Sequence, residues 1–208
     1  LQSGNRLDRA GLSALSSSRQ RNAVRRLLRQ LGLPVPGERQ LTLLLDTMHA
    51  AREDAQPLIA WPGVRVRRYK QAIWFFDAAL DPSQWQAGQQ IYQWNPRVPL
   101  NMGPVRGTIA LEACRSAGIA ADWGNKELTV RFRQGGEQLR PAAGAAMRDL
   151  KNLLQESQIV PWMRSHIPLL YRGEQLLAVG DLWVSADCAT RPGEAGLRIV
   201  WSAHAAIC

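Results

Sequence analysis

The chain has 208 residues, of which 46% are hydrophobic, enough to bury one large core or two small ones. Its 26 Lys and Arg residues outnumber 17 Asp and Glu, and the net charge of +9 favours a polyanionic partner, either nucleic acid or an anionic membrane surface. No run approaches the roughly 18 apolar residues of a membrane span, and three widely spaced cysteines predict a reducing, cytoplasmic environment without disulfides.

The first forty residues predict a strongly basic helix. Residues 1–40 hold eight Arg against two acidic residues, a net charge of +6. Ser17 and Gln20 fit a capping box at the start of this helix. Its apolar face has helical spacing: Val24, Leu27, Leu28 and Leu31. Another face carries a predicted cationic ridge at i, i+4 and i+8: Arg21, Arg25 and Arg29. Like charges at this spacing repel, so an anionic ligand would stabilise the helix.

A second helix and a hairpin are predicted next. The helix runs from about Gln40 to Arg52 and buries four apolar residues: Leu41, Leu44, Leu45 and Met48. The hairpin spans 64–76, turns near Lys70-Gln71, and exposes Arg65 and Arg67 on one side.

One group on the second predicted helix could bind a metal. Asp46, His49 and Glu53 fall at i, i+3 and i+7, and carboxylate and imidazole groups on one face can act as ligands. A solvated polar face opposite the leucines explains the same pattern and is the favoured interpretation.

The amino-acid composition changes between residues 81 and 104, where prolines and glycines are frequent. We place the boundary between two modules here. Trp85 and Trp94 indicate that this connector packs on a domain instead of forming a free linker.

The second module is predicted to mix strands and helix. Apolar and polar residues alternate over 128–133, which is typical of a half-buried strand. A helix over 145–155 would have Met147, Leu150 and Leu154 as its apolar stripe. A hairpin with Gly173 at its turn covers 169–179, and a final strand contains three apolar residues: Leu197, Ile199 and Trp201.

Basic residues cluster around this predicted strand, turn and helix. Five cations could converge there on several phosphates: Arg131, Arg133, Arg140, Arg148 and Lys151. Scattered solvated charges are the alternative. Trp162 beside Arg164 could stack on an exposed base, although a Trp in this position is more often part of a core.

No local motif for catalysis is present. The sequence has no P-loop, no GxGxxG after a strand, no GxSxG and no HExxH, and its three histidines are far apart. The residues therefore indicate binding instead of chemistry.

Two segments resemble the tRNA(Ile)-lysidine synthetase family. The first is LDRAGLSALSSSRQRNAVRRLLRQLGLPVP at 7–36, followed by AREDA and the VRVRRY hairpin, and it is similar to the substrate-binding domain of that family. The second, at 128–184, has LK, PW, R and PLL in the order typical of the family's C-terminal domain. The family's SGGxDS phosphate loop is absent, since Ser3-Gly4 continues with Asn-Arg, and only Arg148 and Lys151 are basic where relatives have a more basic helix.

The resemblance implies an α+β fold: an N-terminal helical module with a β-hairpin, followed by a C-terminal mixed α/β domain. It implies a helical tRNA-binding domain at 1–80, a connector at 81–126 and an acceptor-stem-recognition domain at 127–208. The implied partner is tRNA(Ile) with a CAU anticodon. The residues expected to bind it are Arg21, Arg25, Arg29, Arg131, Arg133, Arg140, Arg148, Lys151 and Arg164.

The resemblance also implies an ATP-dependent ligase as the intact protein. That enzyme would use ATP, Mg²⁺ and lysine through a catalytic domain outside this chain, so this fragment should be inactive and hold no cofactor. A homodimer is left open, and a membrane partner is not expected. The alternatives are a free-standing RNA-binding module and a protein-docking domain.

Overall fold

A computed structural model describes residues 2–52, 55–85, 90–125 and 127–208. The chain divides into two units, Leu1–Asp81 and Pro82–Cys208. Helices and antiparallel sheets occur in both units, which confirms the predicted α+β class.

Three α-helices lie in the described residues of the first unit: α1 (Arg9–Ser13), α2 (Ser17–Gln30) and α3 (Glu38–Ala50). The prediction of α2 is confirmed, but its N-cap is Ser16 instead of Ser17. The Gln20 side chain donates to the Leu15 carbonyl at 2.9 Å, so it does not close the predicted capping box. The second predicted helix is α3. It begins two residues earlier than expected because Gly37 is its N-cap, and it ends two residues earlier because Ala51 is extended.

Five strands form the sheet of this unit: β1 (Gln2–Ser3), β2 (Arg6–Asp8), β3 (Leu58–Trp61), β4 (Val64–Tyr69) and β5 (Ala72–Asp77). They are antiparallel in the order β1-β2-β5-β4-β3. The predicted hairpin is β4 and β5. The leucines of α2 and α3 pack with the apolar face of this sheet, so one core holds the helices against the strands.

The β4 arginines differ from the prediction in their exposure. Arg65 and Arg67 share one side, as expected, but both are half-buried and pair with the buried Asp81 at 3.4 and 3.3 Å. Arg68 lies on the apolar side and is fully buried. Its guanidinium donates to the Met48 carbonyl at 2.7 Å and to the Arg52 carbonyl, and so it satisfies carbonyls at the end of α3.

The second unit contains eleven strands in the part of the chain that the structure describes: β6 (Tyr92–Trp94), β7 (Leu100–Asn101), β8 (Thr108–Arg115), β9 (Ile119–Ala120), β10 (Leu128–Arg131), β11 (Gln138–Leu139), β12 (Arg148–Asp149), β13 (Leu169–Arg172), β14 (Gln175–Val179), β15 (Trp183–Val184) and β16 (Ala195–Ser202). They form a five-stranded sheet β15-β14-β13-β10-β6, a four-stranded sheet β7-β8-β16-β9 and the ribbon β11-β12. All pairings are antiparallel. The predicted hairpin is β13 and β14, and the final strand is β16.

Residues 81–126, expected as a connector, contribute four strands to these sheets. β8 pairs with β16 over eight residues, and β6 is an edge strand beside β10. Trp94 of β6 is buried, whereas Trp85 is half-buried against Gly103.

The helix predicted over 145–155 is wrong at its start. It is α4 (Leu150–Glu156), and Arg148 and Asp149 before it form β12 with β11. Because the pairing of β12 holds Asp149 extended as the N-cap, no helical turn precedes Leu150. Met147 is consequently exposed instead of belonging to an apolar stripe, while Leu150 and Leu154 are buried as predicted.

Candidate nucleic-acid interface

The side of α2 opposite its buried leucines is exposed and cationic. Its residues recur every three or four positions, and we call them the α2 stripe: Arg19, Asn22, Arg26 and Arg29. At 1.5 Å per residue the stripe is roughly 15 Å long, which is enough to face several phosphates of one strand. Among the residues that the structure describes, no carboxylate forms an ion pair with the three arginines of this stripe.

The predicted ridge on α2 coincides with the stripe only at Arg29. Arg21 Nε lies 2.8 Å from a carboxylate oxygen of Glu38, and Arg25 pairs with the other oxygen of the same group. Glu38 stands in the first turn of α3, where it also interacts favourably with the helix dipole. Two of the three predicted ridge residues are thus held against a neighbouring helix.

Sequence reasoning missed Arg19 and Arg26, although a signal was available. At 3.6 residues per turn these two side chains lie opposite the middle of the leucine stripe, whereas Arg21 and Arg25 lie beside it. Residues beside an apolar stripe are the ones that can reach a packed neighbour. The arginines farthest from the stripe were therefore the better candidates for solvent and ligand contact.

In the second unit, Arg131 is the most constrained of the predicted cations. It stands at the end of β10, and its guanidinium forms two hydrogen bonds with Glu174, at 3.0 and 3.1 Å. It also donates to the Gly173 carbonyl at 2.9 Å and lies over the ring of Tyr171, 4.7 Å from the centroid. The hydrogen bonds with Glu174 raise the pKa of Arg131 and lower the pKa of Glu174.

Three further predicted cations also have carboxylate partners. Their closest atom pairs are Arg133 Nε to Glu137 Oε2 at 3.7 Å, Arg140 Nη1 to Asp187 Oδ1 at 3.4 Å, and Arg148 Nη2 to Glu156 Oε1 at 2.5 Å. The expected set of cations offered to phosphates is therefore largely neutralised within the protein. Lys151, exposed on α4, has no ion pair among the described residues.

Trp162 and Arg164 lie at the turn that follows α4. Trp162 is buried at the 3-10 turn Pro161–Met163, as the core interpretation predicted. Arg164 is half-buried, and its Nε donates to the Ile159 carbonyl at 2.9 Å, which fixes the chain after α4.

A cleft of about 580 Å³ opens between the Gly135-Gly136 loop and the β13–β14 hairpin. Of the five predicted cations, only Arg131 lines this cleft, while the partners of Arg133 and Arg140 also line it. The loop owes its shape to Glu137, whose carboxylate accepts from the backbone N–H groups of Gln134 and Gly135 at 2.5 and 2.9 Å.

The histidine of the suggested metal group has hydrogen-bond partners from two other helices. His49 bonds through its two ring nitrogens to Ser13 Oγ at 3.0 Å and Gln20 Oε1 at 3.3 Å. Burial and the nearby Arg9 lower its pKa. Glu53 lies outside the described residues, and no cluster of three metal-ligating side chains occurs in residues 2–52, 55–85, 90–125 and 127–208. No helix within those same ranges is long and apolar enough to span a membrane.

Comparisons with known proteins match both units. Residues 7–74 match the family described as TilS substrate binding domain, and residues 128–201 match TilS substrate C-terminal domain. A solved structure described as "Crystal structure of TILS C-terminal domain" aligns with 54% of this chain and 98% of its own length, at 20% identity and a TM-score of 0.42.

Similar curated proteins are named tRNA(Ile)-lysidine synthase. That of Coxiella burnetii is 31% identical over 86% of this chain and 39% of its own length. Those of Alkalilimnicola ehrlichii and Ralstonia nicotianae are each 35% identical, over 93% and 92% of this chain and 42% of their own lengths. The chain thus spans about two fifths of these relatives. It belongs to the tRNA(Ile)-lysidine synthase family and contains the family's substrate-binding and C-terminal domains.

Proposed function

We propose that this chain is the tRNA-binding part of a tRNA(Ile)-lysidine synthase that acts in the cytoplasm. The intact enzyme would ligate lysine to the wobble cytidine of CAU-anticodon tRNA(Ile), using ATP and Mg²⁺. The observation that carries the proposal is the α2 stripe, an exposed row of arginines in the unit that matches the substrate-binding domain. Arginine offers planar, charge-assisted hydrogen bonds to phosphate oxygens, and these dominate affinity for nucleic acids.

The two units would divide the work. We propose that residues 1–80 contact the anticodon side of the tRNA through the α2 stripe, and that residues 127–208 contact the acceptor stem. Residues 81–126 would support the second site, since their strands complete its sheets. Lys151 is exposed and has no ion pair among the described residues, so it is available there for a phosphate.

The residues that catalyse lysine ligation would belong to another part of the intact enzyme. The SGGxDS phosphate loop of the family does not occur in it. We therefore expect the chain alone to form no lysidine with ATP, Mg²⁺ and lysine present. AMP release that depends on CAU-anticodon tRNA would contradict this expectation.

Binding of tRNA(Ile) transcript at several salt concentrations tests the proposal. Each phosphate contact contributes roughly −0.7 to −0.9 to the slope of log K against log salt, so four or five contacts predict a slope of about −4. Fluorescence anisotropy between about 50 and 200 mM salt measures this slope directly. No binding at the lowest salt, or a flat response, would remove the RNA-binding function.

A further inference from the structure

The cleft of the second unit combines apolar and polar groups in a way that suits a flat, polar ligand. In the described part of this unit three large apolar side chains are exposed, Ile91, Val98 and Met147, and two of them line the cleft. Ile91 is 55% exposed and Met147 is 47% exposed. Apolar surface concentrated at one concave site is typical of ligand binding, and a volume of 580 Å³ is in the usual range for small ligands.

The charges of the cleft disfavour a phosphate. Among the described residues, its lining contains one cation, Arg131, and three carboxylates, Glu137, Glu174 and Asp187. Arg131 is already engaged by two hydrogen bonds with Glu174. Arg133 and Arg140 balance the charges of Glu137 and Asp187 from outside the lining. The described lining therefore offers no unpaired cation to a phosphate, and nothing in it draws the anionic backbone of a nucleic acid inward.

The same groups favour a nucleobase. Carboxylates accept hydrogen bonds from exocyclic amines. The amide nitrogens of Gln138 and Gln175 already donate to Asp149 and to Cys188 Sγ, but each amide keeps a second N–H group and an oxygen that can accept. Tyr171 presents an aromatic ring, and the guanidinium of Arg131 lies over that ring. Burial raises the pKa of Tyr171, so its hydroxyl stays protonated and can donate. Aromatic and guanidinium planes are the surfaces on which unpaired RNA bases stack.

The loop at the cleft permits close approach. Gly135 and Gly136 have φ values of +111° and +85°, and a β-carbon at either position would meet no atom within 4 Å. The space in front of the loop is therefore open, and no side chain fills it.

We propose that this cleft binds one unpaired RNA base, with the sugar-phosphate backbone held outside. This proposal rests on the proposed function, because that function brings RNA to the protein. The cleft adds a base-binding site to a protein that is otherwise expected to contact phosphates. The base lies between the apolar rim of Ile91 and Met147 and the Tyr171–Arg131 pair. Its edge faces the carboxylates and amides of the cleft.

Three RNAs separate base binding from phosphate binding. The first is a blunt duplex, the second adds a four-nucleotide abasic 3′ overhang, and the third has the same overhang with its bases. The abasic overhang keeps the phosphates and removes the stacking partners. We expect the chain to bind the base-bearing RNA about tenfold more tightly than the abasic one, as stacking of a single base predicts.

Rim variants locate the effect in the cleft. Ile91→Ala and Met147→Ala should reduce the preference for the base-bearing RNA by about three- to tenfold and leave abasic RNA binding unchanged. Val98→Ala is the matched control, because Val98 lies in the same unit and is exposed, at 62%, but is not among the residues that line the cleft. All three side chains are exposed, so folding should be retained.

The outcomes distinguish the two proposals. If base-bearing and abasic RNAs bind equally, or if the rim variants behave like Val98→Ala, the base-binding cleft is overturned while the RNA-binding function stands. If none of the three RNAs binds at low salt, the proposed function fails, and the cleft proposal fails with it.

Discussion

Individual residues show how far a periodic pattern can predict a contact. Alternation along β4 places Arg68 on the same side as Val64 and Val66, and the structure indeed buries it. Its acceptors, the carbonyls of Met48 and Arg52, lie 20 and 16 residues earlier in the chain. A pattern of period two predicts the direction of a side chain, but a partner in another element depends on packing.

The predicted ridge of arginines on α2 also shows that packing decides the partners of a side chain. Its positions were predicted correctly as helical, yet the approach of Glu38 decides which arginines remain available. Nothing in the local spacing of 19–29 predicts that approach, because Glu38 belongs to another helix.

Neutralising Glu38 should increase tRNA binding. In Glu38→Gln, Arg21 and Arg25 lose their ion pairs and can turn to phosphates beside the α2 stripe. We expect a three- to tenfold gain in affinity at low salt. The magnitude of the slope of log K against log salt should increase by about one to two, because each new phosphate contact adds just under one to it.

The control for this variant is Asp46→Asn. It removes the same charge from the same helix, but Asp46 is exposed and holds neither arginine. Equal gains for the two variants would show that net charge, and not release of Arg21 and Arg25, controls binding.

His166 should make stability depend on pH. It is buried in the second unit, and burial together with the nearby Arg106 lowers its pKa to about 4. In the unfolded chain its pKa is about 6.5. Between these values the unfolded state binds a proton that the folded state does not, so stability is retained above pH 6.5 and is lost as the pH falls towards 4.

The size of this effect is measurable by urea unfolding at pH 7 and pH 5. His166 predicts a loss of about 2 kcal/mol in the free energy of unfolding over this interval. His166→Gln should be less stable at pH 7 but should lose much less on acidification. An unchanged pH dependence in the variant would show that other groups cause it.

Secondary-structure elements divide into those formed locally and those formed by distant partners. α2, α3 and the two tight hairpins are predicted because their signals lie within about fifteen residues. β8 was not predicted, since its partner β16 follows it by about eighty residues and its sequence does not alternate clearly. The premature start predicted for α4 has the same origin, because β11 competes for residues that could have formed a helical turn.

Gly118 tests the packing of the four-stranded sheet. It has a φ of +72°, and a β-carbon there would overlap the carbonyl of Leu197 in β16. Gly118→Ala should therefore add a backbone clash to the cost of a left-handed conformation and destabilise the second unit by about 3 kcal/mol or more.

Gly193→Ala is the matched control for this element. Gly193 has a similar φ of +84°, but a β-carbon there would meet no atom within 4 Å. It should cost about 1 to 2 kcal/mol, from backbone strain alone. Thermal unfolding compares the two, and similar losses would mean that β9 and β16 are less closely packed than the structure shows.

At the scale of the whole chain, the two units differ in net charge. The first unit has 13 basic and seven acidic residues, which gives a net charge of +6 in 81 residues. The second unit has 13 basic and ten acidic residues, which gives a net charge of +3 in 127 residues. The predicted excess of positive charge in the first forty residues accounts for the whole net charge of the first unit. Four of the five cations predicted around β10 are paired with carboxylates. The partners of Arg131 and Arg140 could not be predicted from local spacing, because they lie 43 and 47 residues away in the sequence.

This distribution leads to the central claim, that the α2 stripe is the main phosphate-binding surface. Two double variants on the same helix test it: Arg26→Ala with Arg29→Ala, and Arg21→Ala with Arg25→Ala. Each pair removes two charges, and alanine has the highest helix propensity, so α2 should remain helical in both variants.

The decisive measurement is the salt slope of tRNA(Ile) binding for both double variants. We predict that loss of Arg26 and Arg29 reduces the magnitude of the slope by about 1.5 to 2, as expected for two lost phosphate contacts, whereas loss of Arg21 and Arg25 changes it by less than about 0.5. Equal reductions in the two variants, or a larger one for Arg21 and Arg25, would contradict the assignment of the α2 stripe.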